Sequence, residues 1–300
     1  MHSPALLTSS QKQNMYNSTE NGMERDMRNT PYALVFGSVI MLGLPLNAAS
    51  LWILLRCHSL KSPSVVFMVN LALSDLLLAI SLSMRVYFYA IGTWPLGNKA
   101  CVCFTMLFRN NIRSSSIFIT FISVDRLLAV VYPLRSRHLR TASYALKAAA
   151  LVWLFLLVVN IPESVELSRF LDKNNKSTCF EINIIHKLPY LQPVLVLTML
   201  AVNIVSTALV ARTLRKQLND SARIYNKVNV LLIFAMNLMM FTVFFLPVSL
   251  VVFFKSWLPA RMTLVCLASV NCCLDPLLYY FSFDGFWKSK EDVDTSVARE

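Results

Sequence analysis

Three arginines lie inside long apolar stretches of the chain, where a charged side chain is costly unless it lines a cavity or meets a partner. Arg85 follows Asp75 by ten residues, or about 15 Å of helix. Arg109 follows Cys101 by eight residues, or about 12 Å, and Arg113 continues the same helix face one turn deeper. Guanidinium groups bind phosphate and carboxylate through paired hydrogen bonds. These residues therefore indicate a binding site for an organic anion.

The charges around the arginines also favour an anionic ligand. We expect no acidic side chain to neutralise them, because none is found in the same halves of the predicted helices. Lys187, Lys255 and Arg261, near the ends of later helices, are further candidates, although lysines at helix ends commonly anchor a helix at the membrane interface. Arg109 and Arg113 have a structural alternative, in which they bond backbone carbonyl groups or extend toward the interface.

A second group of polar side chains carries oxygen atoms. Asp75, Ser115, Asn271 and Asp275 come from three different apolar stretches and have similar predicted depth. Oxygen ligands that converge in this way suit a small hydrated cation such as sodium. An interhelical hydrogen-bond network without an ion fits the same residues. Sodium is thus a candidate ligand, and no other cofactor or metal centre is predicted.

The elements that must position these residues are membrane-spanning helices. Of the 300 residues, 56% are hydrophobic and 15% are charged, and the mean hydropathy is +0.56, far outside the usage of soluble proteins. A spanning helix needs about 20 mostly apolar residues. Suitable windows cover residues 31–56, 64–91, 100–127, 144–163, 188–211, 228–254 and 258–281. The predicted fold is an all-α membrane protein, a bundle of seven transmembrane helices.

The basic residues predict the orientation of this bundle. They concentrate in the connections after the first, third and fifth spans, so the positive-inside rule places those loops in the cytoplasm and the N-terminus outside. Anionic membrane lipids at the inner face account for the net charge of +12, and no nucleic-acid partner is predicted. Residues 1–30 are predicted to form an extracellular tail without a removable signal peptide, before the bundle over 31–281. Residues 282–300 are predicted to form an amphipathic helix and a short cytoplasmic tail.

Two modifications are predicted on the outer side. Asn17 and Asn175 begin acceptor sequons for glycosylation. Cys101 opens the third span and Cys179 lies in the second outer loop, so the two can form a disulfide in an oxidising compartment. Cys103 is an alternative partner, since sequence alone does not fix connectivity. We favour Cys101 because it lies nearer the outer end of its helix.

Catalysis and transport are both disfavoured by the residue pattern. Every histidine lies outside the spans, which argues against histidine-based chemistry at membrane depth. Internal repeats and helices broken at the midplane, which are typical of transporters, are not found. The chain is therefore not predicted to be an enzyme.

The segment SVDRLLAVVYPL at the end of the third span resembles the Asp-Arg-Tyr signature of rhodopsin-like G-protein-coupled receptors. Leu127 stands where that signature has tyrosine. The resemblance implies that Arg126 is a latch, released on activation to meet a heterotrimeric G protein, with Asp125, Pro133 and Leu134 in the same coupling region. We expect Asp125 to hold Arg126 in place before activation.

Further motifs of that family follow in one helix after another. They are Asn47, Asp75, Cys101 with Cys179, Trp153, Phe241, Phe245, Pro247 and the segment from Asp275 to Tyr279. The resemblance implies that Phe241, Phe245, Pro247 and Tyr279 form the activation switch. Within the family, Asp275-Pro276 and Phe245 are similar to the branch of lysophosphatidic-acid and purinergic nucleotide receptors. The segments GLPLNAASLW and MRVYFYAIGTWPLG are most similar to the lysophosphatidic-acid receptors.

The resemblance implies a plasma-membrane receptor for an extracellular anionic ligand, with a lysophospholipid such as lysophosphatidic acid as the first choice. A nucleotide or a small carboxylate is the alternative ligand. Leu127 and a fifth helix without tyrosine leave open a non-signalling, decoy-like receptor. The connection between the sixth and seventh helices, near 255–259, is also shorter than is usual in these receptors.

Overall fold

The computed structural model describes residues 9–57, 60–174, 179–180, 190–216 and 224–280. Within these ranges it describes only the backbone at residues 9–29, 57, 174, 224–227 and 255. The predicted roles of Asn175, Lys187 and the amphipathic helix after residue 281 lie outside the described residues. The side chains of Asn17 and Lys255 lie outside them as well.

Seven helices make up the described chain, and each contains a stretch that is long and apolar enough to cross a membrane. They are α1 (Ser9–Cys57), α2 (Pro63–Ile91), α3 (Gly97–Val131), α4 (Ala142–Asn174), α5 (Leu191–Lys216), α6 (224–250) and α7 (Arg261–Tyr280). No strand is present in these parts of the chain. The predicted seven-helix bundle is confirmed.

The ends of the helices differ from the predicted windows by a few residues at several places and by more than that at two. Helix α1 begins at Ser9, inside the predicted tail, although its membrane-length part is Thr30–Arg56. Helix α4 passes through Pro162 and continues to Asn174, eleven residues beyond the predicted end. Because of this extension, Glu163 lies inside a helix and next to α3 rather than in a loop.

Burial is uneven across the bundle. Helices α2 and α3 are the most buried, whereas α1, α4 and α5 direct most of their apolar side chains outward. Leu154, Leu157 and Ile161 on α4 are examples of large exposed apolar residues. In a bilayer such a surface faces lipid at no cost, so the polar residues collect on the central helices.

Helix α6 changes its winding before Pro247. An α-helix over Ile224–Met239 is followed by a π-helical turn over Met240–Phe245 and a short α-helix over Leu246–Leu250. Proline lacks an N–H group and crowds the preceding turn, so helices commonly kink or widen next to it. The wide turn directs Phe241 and Phe245 into the core, where the two rings meet edge to face at 5.5 Å.

The connection between α2 and α3 is fixed by two glycines and a tryptophan. Gly92 (φ 79°) ends α2 and Gly97 (φ 76°) precedes the main part of α3, and both adopt the left-handed backbone that favours glycine. The Trp94 Nε1–H donates to the Gly97 carbonyl at 2.8 Å. The indole packs edge to face against Phe180 at 5.4 Å, so this connection supports the residue that follows Cys179.

Candidate functional site

The two ends of the bundle are named here by their contents. The disulfide end carries Cys101 and Cys179, which form a disulfide with a Cα–Cα distance of 5.6 Å. Cys103 is exposed and not disulfide-bonded, so the preferred pairing is confirmed. The opposite end carries Asp125 and is called the Asp125 end. The disulfide fixes the adjacent Phe180 over the disulfide end of α2 and α3.

Arg85 is buried between two aromatic rings at the disulfide end. Its guanidinium carbon lies 4.6 Å from the Phe108 ring centroid and 4.4 Å from the Phe180 ring centroid. The side chain is only 4% exposed, and its Nε has no hydrogen-bond partner among the described residues. Cation–π contacts use the faces of the guanidinium and leave the N–H groups at its edge available. Arg85 is thus held in place without the use of its Nε donor.

Arg109 and Arg113 both form ion pairs with Glu163 of α4. The Arg113 Nη2 lies 2.6 Å from Glu163 Oε1, and the Arg109 Nη1 lies 3.2 Å from Oε2. The expectation that no acidic residue neutralises these arginines is therefore wrong. The carboxylate of Glu163 is a partner that the structural alternative did not include. Glu163 was missed since the apolar window of α4 ended at that residue.

A pair of amides completes this cluster. The Asn160 Oδ1 accepts a hydrogen bond from Arg113 Nη1 at 3.3 Å, and the Asn160 Nδ2 donates to Asn110 Oδ1 at 2.7 Å. We call Arg109, Arg113, Asn160 and Glu163 the Glu163 cluster. It contains two guanidinium groups and one carboxylate, so it retains a positive charge. Arg85 and Arg261 interact electrostatically with Arg109 and add to that charge.

The predicted sodium ligands are buried in the middle of the bundle. Asp75 and Ser115 are joined through Asn111, whose Nδ2 donates to Asp75 Oδ1 at 2.8 Å and to Ser115 Oγ at 3.2 Å. Asp275 and Asn271 are fully buried on α7. The carboxylates of Asp75 and Asp275 lie within hydrogen-bonding reach of each other, and both amide atoms of Asn271 have no hydrogen-bond partner within the described chain. Two buried carboxylates this close share either a proton or a cation, so sodium stays a prediction, and Asn111 is a neighbour that the sequence prediction missed.

At the Asp125 end, the carboxylate of Asp125 pairs with an unexpected arginine. The Arg140 Nε lies 2.8 Å from Oδ1, and its Nη2 donates to Oδ2 at 3.2 Å. Arg126, whose Nε has no partner among the described residues, forms no ion pair with Asp125. Asp125 therefore acts on Arg126 only through the longer-range attraction of the two charges, and not through a direct ion pair as expected. We call Asp125, Arg126 and Arg140 the Asp125 cluster.

A compact turn after α3 explains this pairing. The Ser136 Oγ donates to the Leu128 carbonyl at 3.1 Å, and the Arg140 amide donates to the Ser136 carbonyl at 2.9 Å. The chain thereby returns Arg140 to the end of α3. Pro133 and Leu134 lie on the exposed side of the turn, and Leu134 is 89% exposed. An apolar side chain that protrudes this far next to basic residues is suited to contact another protein.

A neutral network links α3, α5 and α6 one turn above Arg126. Ser123 Oγ donates to Asn203 Oδ1 at 2.6 Å, and Asn203 Nδ2 donates to Thr120 Oγ1 at 2.8 Å. Asn237 Nδ2 donates to Ser123 Oγ at 2.5 Å. All four residues are buried. The sequence prediction missed Asn203 and Asn237, although an amide inside an apolar span is a usable signal.

The predicted switch residues are brought together in part. Phe241 and Phe245 are fully buried on α6 beside Pro247, and Tyr279 is buried on α7. The Tyr279 hydroxyl has no partner within the part of the chain that the structure describes. Elsewhere, Asn47 Nδ2 donates to the Cys272 carbonyl at 2.7 Å, and Trp153 Nε1 donates to Asn70 Oδ1 at 2.8 Å. These contacts tie α1 to α7 and α4 to α2.

Comparison with known proteins agrees with this architecture. Residues 46–279 match the pattern described as 7 transmembrane receptor (rhodopsin family). The chain is 31% identical over 291 residues to lysophosphatidic acid receptor 6 of Gallus gallus, covering 89% of this chain and 94% of that protein. It is 35% identical over 283 residues to lysophosphatidic acid receptor 5 of Bos taurus, covering 85% and 76%. It is also 31% identical over 275 residues to purinoceptor 8 of Gallus gallus, covering 85% and 77%.

The match to the family covers well over half of the chain, and the relatives are receptors rather than enzymes. The chain is thus a multi-pass membrane protein that belongs to the rhodopsin family of seven-transmembrane receptors, in the branch of the lysophosphatidic acid receptors and purinoceptors.

Proposed function

We propose that this receptor binds an extracellular anionic lysophospholipid such as lysophosphatidic acid and signals through a heterotrimeric G protein. In this proposal the receptor lies in the plasma membrane with its N-terminus and disulfide end outside. The phosphate group bonds Arg85 and Arg109, and the acyl chain contacts apolar side chains of the bundle. Lys187, Lys255 and Arg113 were also predicted to bind the anion, and Arg113 now has a structural role in the Glu163 cluster.

The setting of Arg85 is the observation that carries the proposal. A guanidinium that is 4% exposed is costly to bury, and the rings of Phe108 and Phe180 repay only part of that cost. Its Nε lacks an acceptor among the described residues. An arriving phosphate would supply charged acceptors in a site with little competing water, where such hydrogen bonds are strong.

The lipid relatives favour a lysophospholipid over the two alternative ligands. Two of the compared proteins are named lysophosphatidic acid receptors, and one is named a purinoceptor, which keeps a nucleotide as the second candidate. Both ligands carry phosphate, so the same arginines would serve either. The acyl chain is what separates them chemically, because only a lipid buries a long apolar tail.

Signal transfer would use the switch residues and the Asp125 end. Ligand binding would shift α6 about Pro247 and the buried Phe241 and Phe245, and so expose Arg126 and Leu134 to the G protein. Leu127 and the lack of tyrosine in α5 favour the decoy-like alternative. Against it, Asn203 and Asn237 provide a polar link between α3, α5 and α6, and Arg126 is not bound by Asp125.

A ligand panel in cells tests this proposal. Oleoyl lysophosphatidic acid, ATP and succinate are applied to cells that express the parent receptor or the Lys99→Ala variant, and G-protein activation is measured. Lys99 is an exposed cation at the start of α3, so its loss controls for simple attraction of anions. We expect lysophosphatidic acid to activate both forms. Activation by ATP or succinate alone would change the ligand class, and silence of a receptor present at the cell surface would support the decoy.

A further inference from the structure

The Glu163 cluster places a carboxylate where an anionic ligand would also bind. Glu163 is 4% exposed and contacts each arginine through a separate oxygen. Its contact with Arg113 is short and completely buried, whereas its contact with Arg109 is longer and Arg109 is 16% exposed. The two contacts are thus unequal, and the one to Arg109 is the weaker and more accessible.

We infer that Glu163 is an internal counter-ion, which competes with the ligand for Arg109 inside a positively charged site that favours a doubly charged phosphate monoester. The inference rests on the proposed function, since it assigns a role within the same binding site. On binding, Arg109 exchanges Glu163 for the phosphate. Arg113 keeps Glu163 and Asn160, so the link between α3 and α4 persists.

Charge balance explains this preference. Arg85, Arg109 and Arg113 carry three positive charges, and Glu163 carries one negative charge. Arg261 also interacts with Arg109 and adds one more positive charge, so the surplus is three, and a dianionic phosphate monoester neutralises more of it than a monoanion does. A carboxylate or a phosphate diester carries one negative charge and leaves more of the buried positive charge uncompensated, which is costly. A monoanion is also attracted less strongly to Arg109, so its binding offsets less of the ion-pair energy that is lost when Glu163 leaves Arg109.

The test compares binding of two probes with the same acyl chain, oleoyl lysophosphatidic acid and oleoyl lysophosphatidylglycerol, to the parent and to three variants. Glu163→Gln removes the competing charge. R113Q/E163Q removes one positive and one negative charge, so it eliminates the carboxylate at constant net charge. Glu166→Gln is the matched control, because it makes the same change one turn further along α4.

We expect the parent to prefer lysophosphatidic acid. Glu163→Gln should bind lysophosphatidic acid about 10-fold more tightly, as for removal of one close competing charge, with a smaller gain for the monoanionic probe. R113Q/E163Q should bind more tightly than the parent by a smaller factor, and Glu166→Gln should bind within about 2-fold of the parent. Glu163→Gln could impair folding because Arg113 loses its partner. In that case the affinity of the double variant alone tests the inference.

Binding of the double variant at or below the parent level would overturn the inference. An equal gain of affinity in Glu166→Gln would also overturn it, because the effect would then come from the net charge of the receptor and not from the position of Glu163. If the parent binds lysophosphatidic acid, and Arg85→Ala loses that binding while the Glu163 variants bind as the parent does, the proposed function stands and only the role of Glu163 is wrong. Failure of the parent to bind either lipid would overturn both.

Discussion

The two ends of this receptor contain the same three charges in different settings. In the Glu163 cluster and in the Asp125 cluster, one carboxylate lies near two arginines and forms its shorter ion pair with one of them. Those pairs are Glu163 with Arg113 at 2.6 Å and Asp125 with Arg140 at 2.8 Å. The second arginine is bound loosely at the disulfide end, where Arg109 is 3.2 Å from Glu163. At the Asp125 end, Arg126 has no ion pair with Asp125.

Burial separates the two pairs. Both carboxylates are 4% exposed, but Arg113 is 2% exposed whereas Arg140 is 27% exposed. A buried pair is strongly destabilising to break, and a pair that reaches solvent contributes little. The comparison indicates that the Arg113 pair fixes the packing of α3 on α4, while the Arg140 pair is the one that a partner protein can reach.

Arg113→Ala should have the largest effect. It leaves Glu163 with only the long contact to Arg109, and removing one partner of a buried ion pair costs about 3 to 5 kcal/mol. We expect a strong loss of surface delivery, measured by antibody staining of intact and permeabilised cells. Arg169→Ala, at an exposed position of α4, is the control. Normal delivery of Arg113→Ala would mean that the buried pair is not structural.

Arg140→Ala should have a smaller effect, and on signalling rather than on folding. Arg140 is 27% exposed and Asp125 is 4% exposed, so we expect the loss to cost less than that of the fully buried Arg113 pair. Among the described residues, Asp125 then keeps only the hydrogen bond from the Ser64 hydroxyl, and Arg126 is the remaining arginine of the cluster. We expect basal G-protein activation to fall at normal surface expression, with Arg137→Ala of the same turn as the control. Increased basal activity would show that Arg140, and not Arg126, restrains the receptor.

The smallest expected effect concerns the predicted sodium ligands, which lie between the two ends. Asp75→Asn keeps the shape of the side chain but removes the charge that would bind sodium. We expect agonist affinity to become insensitive to replacement of sodium chloride by choline chloride at equal ionic strength. Equal sodium dependence in parent and variant would indicate that Asp75, Asn111 and Ser115 form a hydrogen-bond network without an ion.

The positions of the helices and the disulfide were predictable because they depend on local signals. Hydropathy identifies the spans, and the position of Cys101 at the outer end of its helix favoured it over Cys103 as the partner of Cys179. The partners of the charged residues were not predictable in the same way. Pro162 and Glu163 interrupt the apolar pattern of α4, so the continuation of the helix to Asn174 was not recognised. The carboxylate that neutralises Arg113 was therefore overlooked.

The geometry of the turn after α3 explains why the partner of Asp125 was not predicted. Arg140 is fifteen residues from Asp125, and only the turn held by Ser136 brings them together. Adjacency in sequence suggested Arg126 instead, but neighbouring residues on a helix point in different directions. The buried amides Asn111, Asn203 and Asn237 could have been found, since each is a polar residue inside an apolar span.

The most direct test of the central claim is equilibrium binding of radiolabelled lysophosphatidic acid to the parent, Arg85→Ala and Arg85→Lys. Loss of a charge-assisted hydrogen bond worth about 1.5 to 3 kcal/mol should weaken binding to Arg85→Ala by about 10-fold or more. Arg85→Lys retains the charge but not the planar group that stacks between Phe108 and Phe180, so its affinity should be intermediate. Parent-like affinity of Arg85→Ala at normal surface expression would contradict the account.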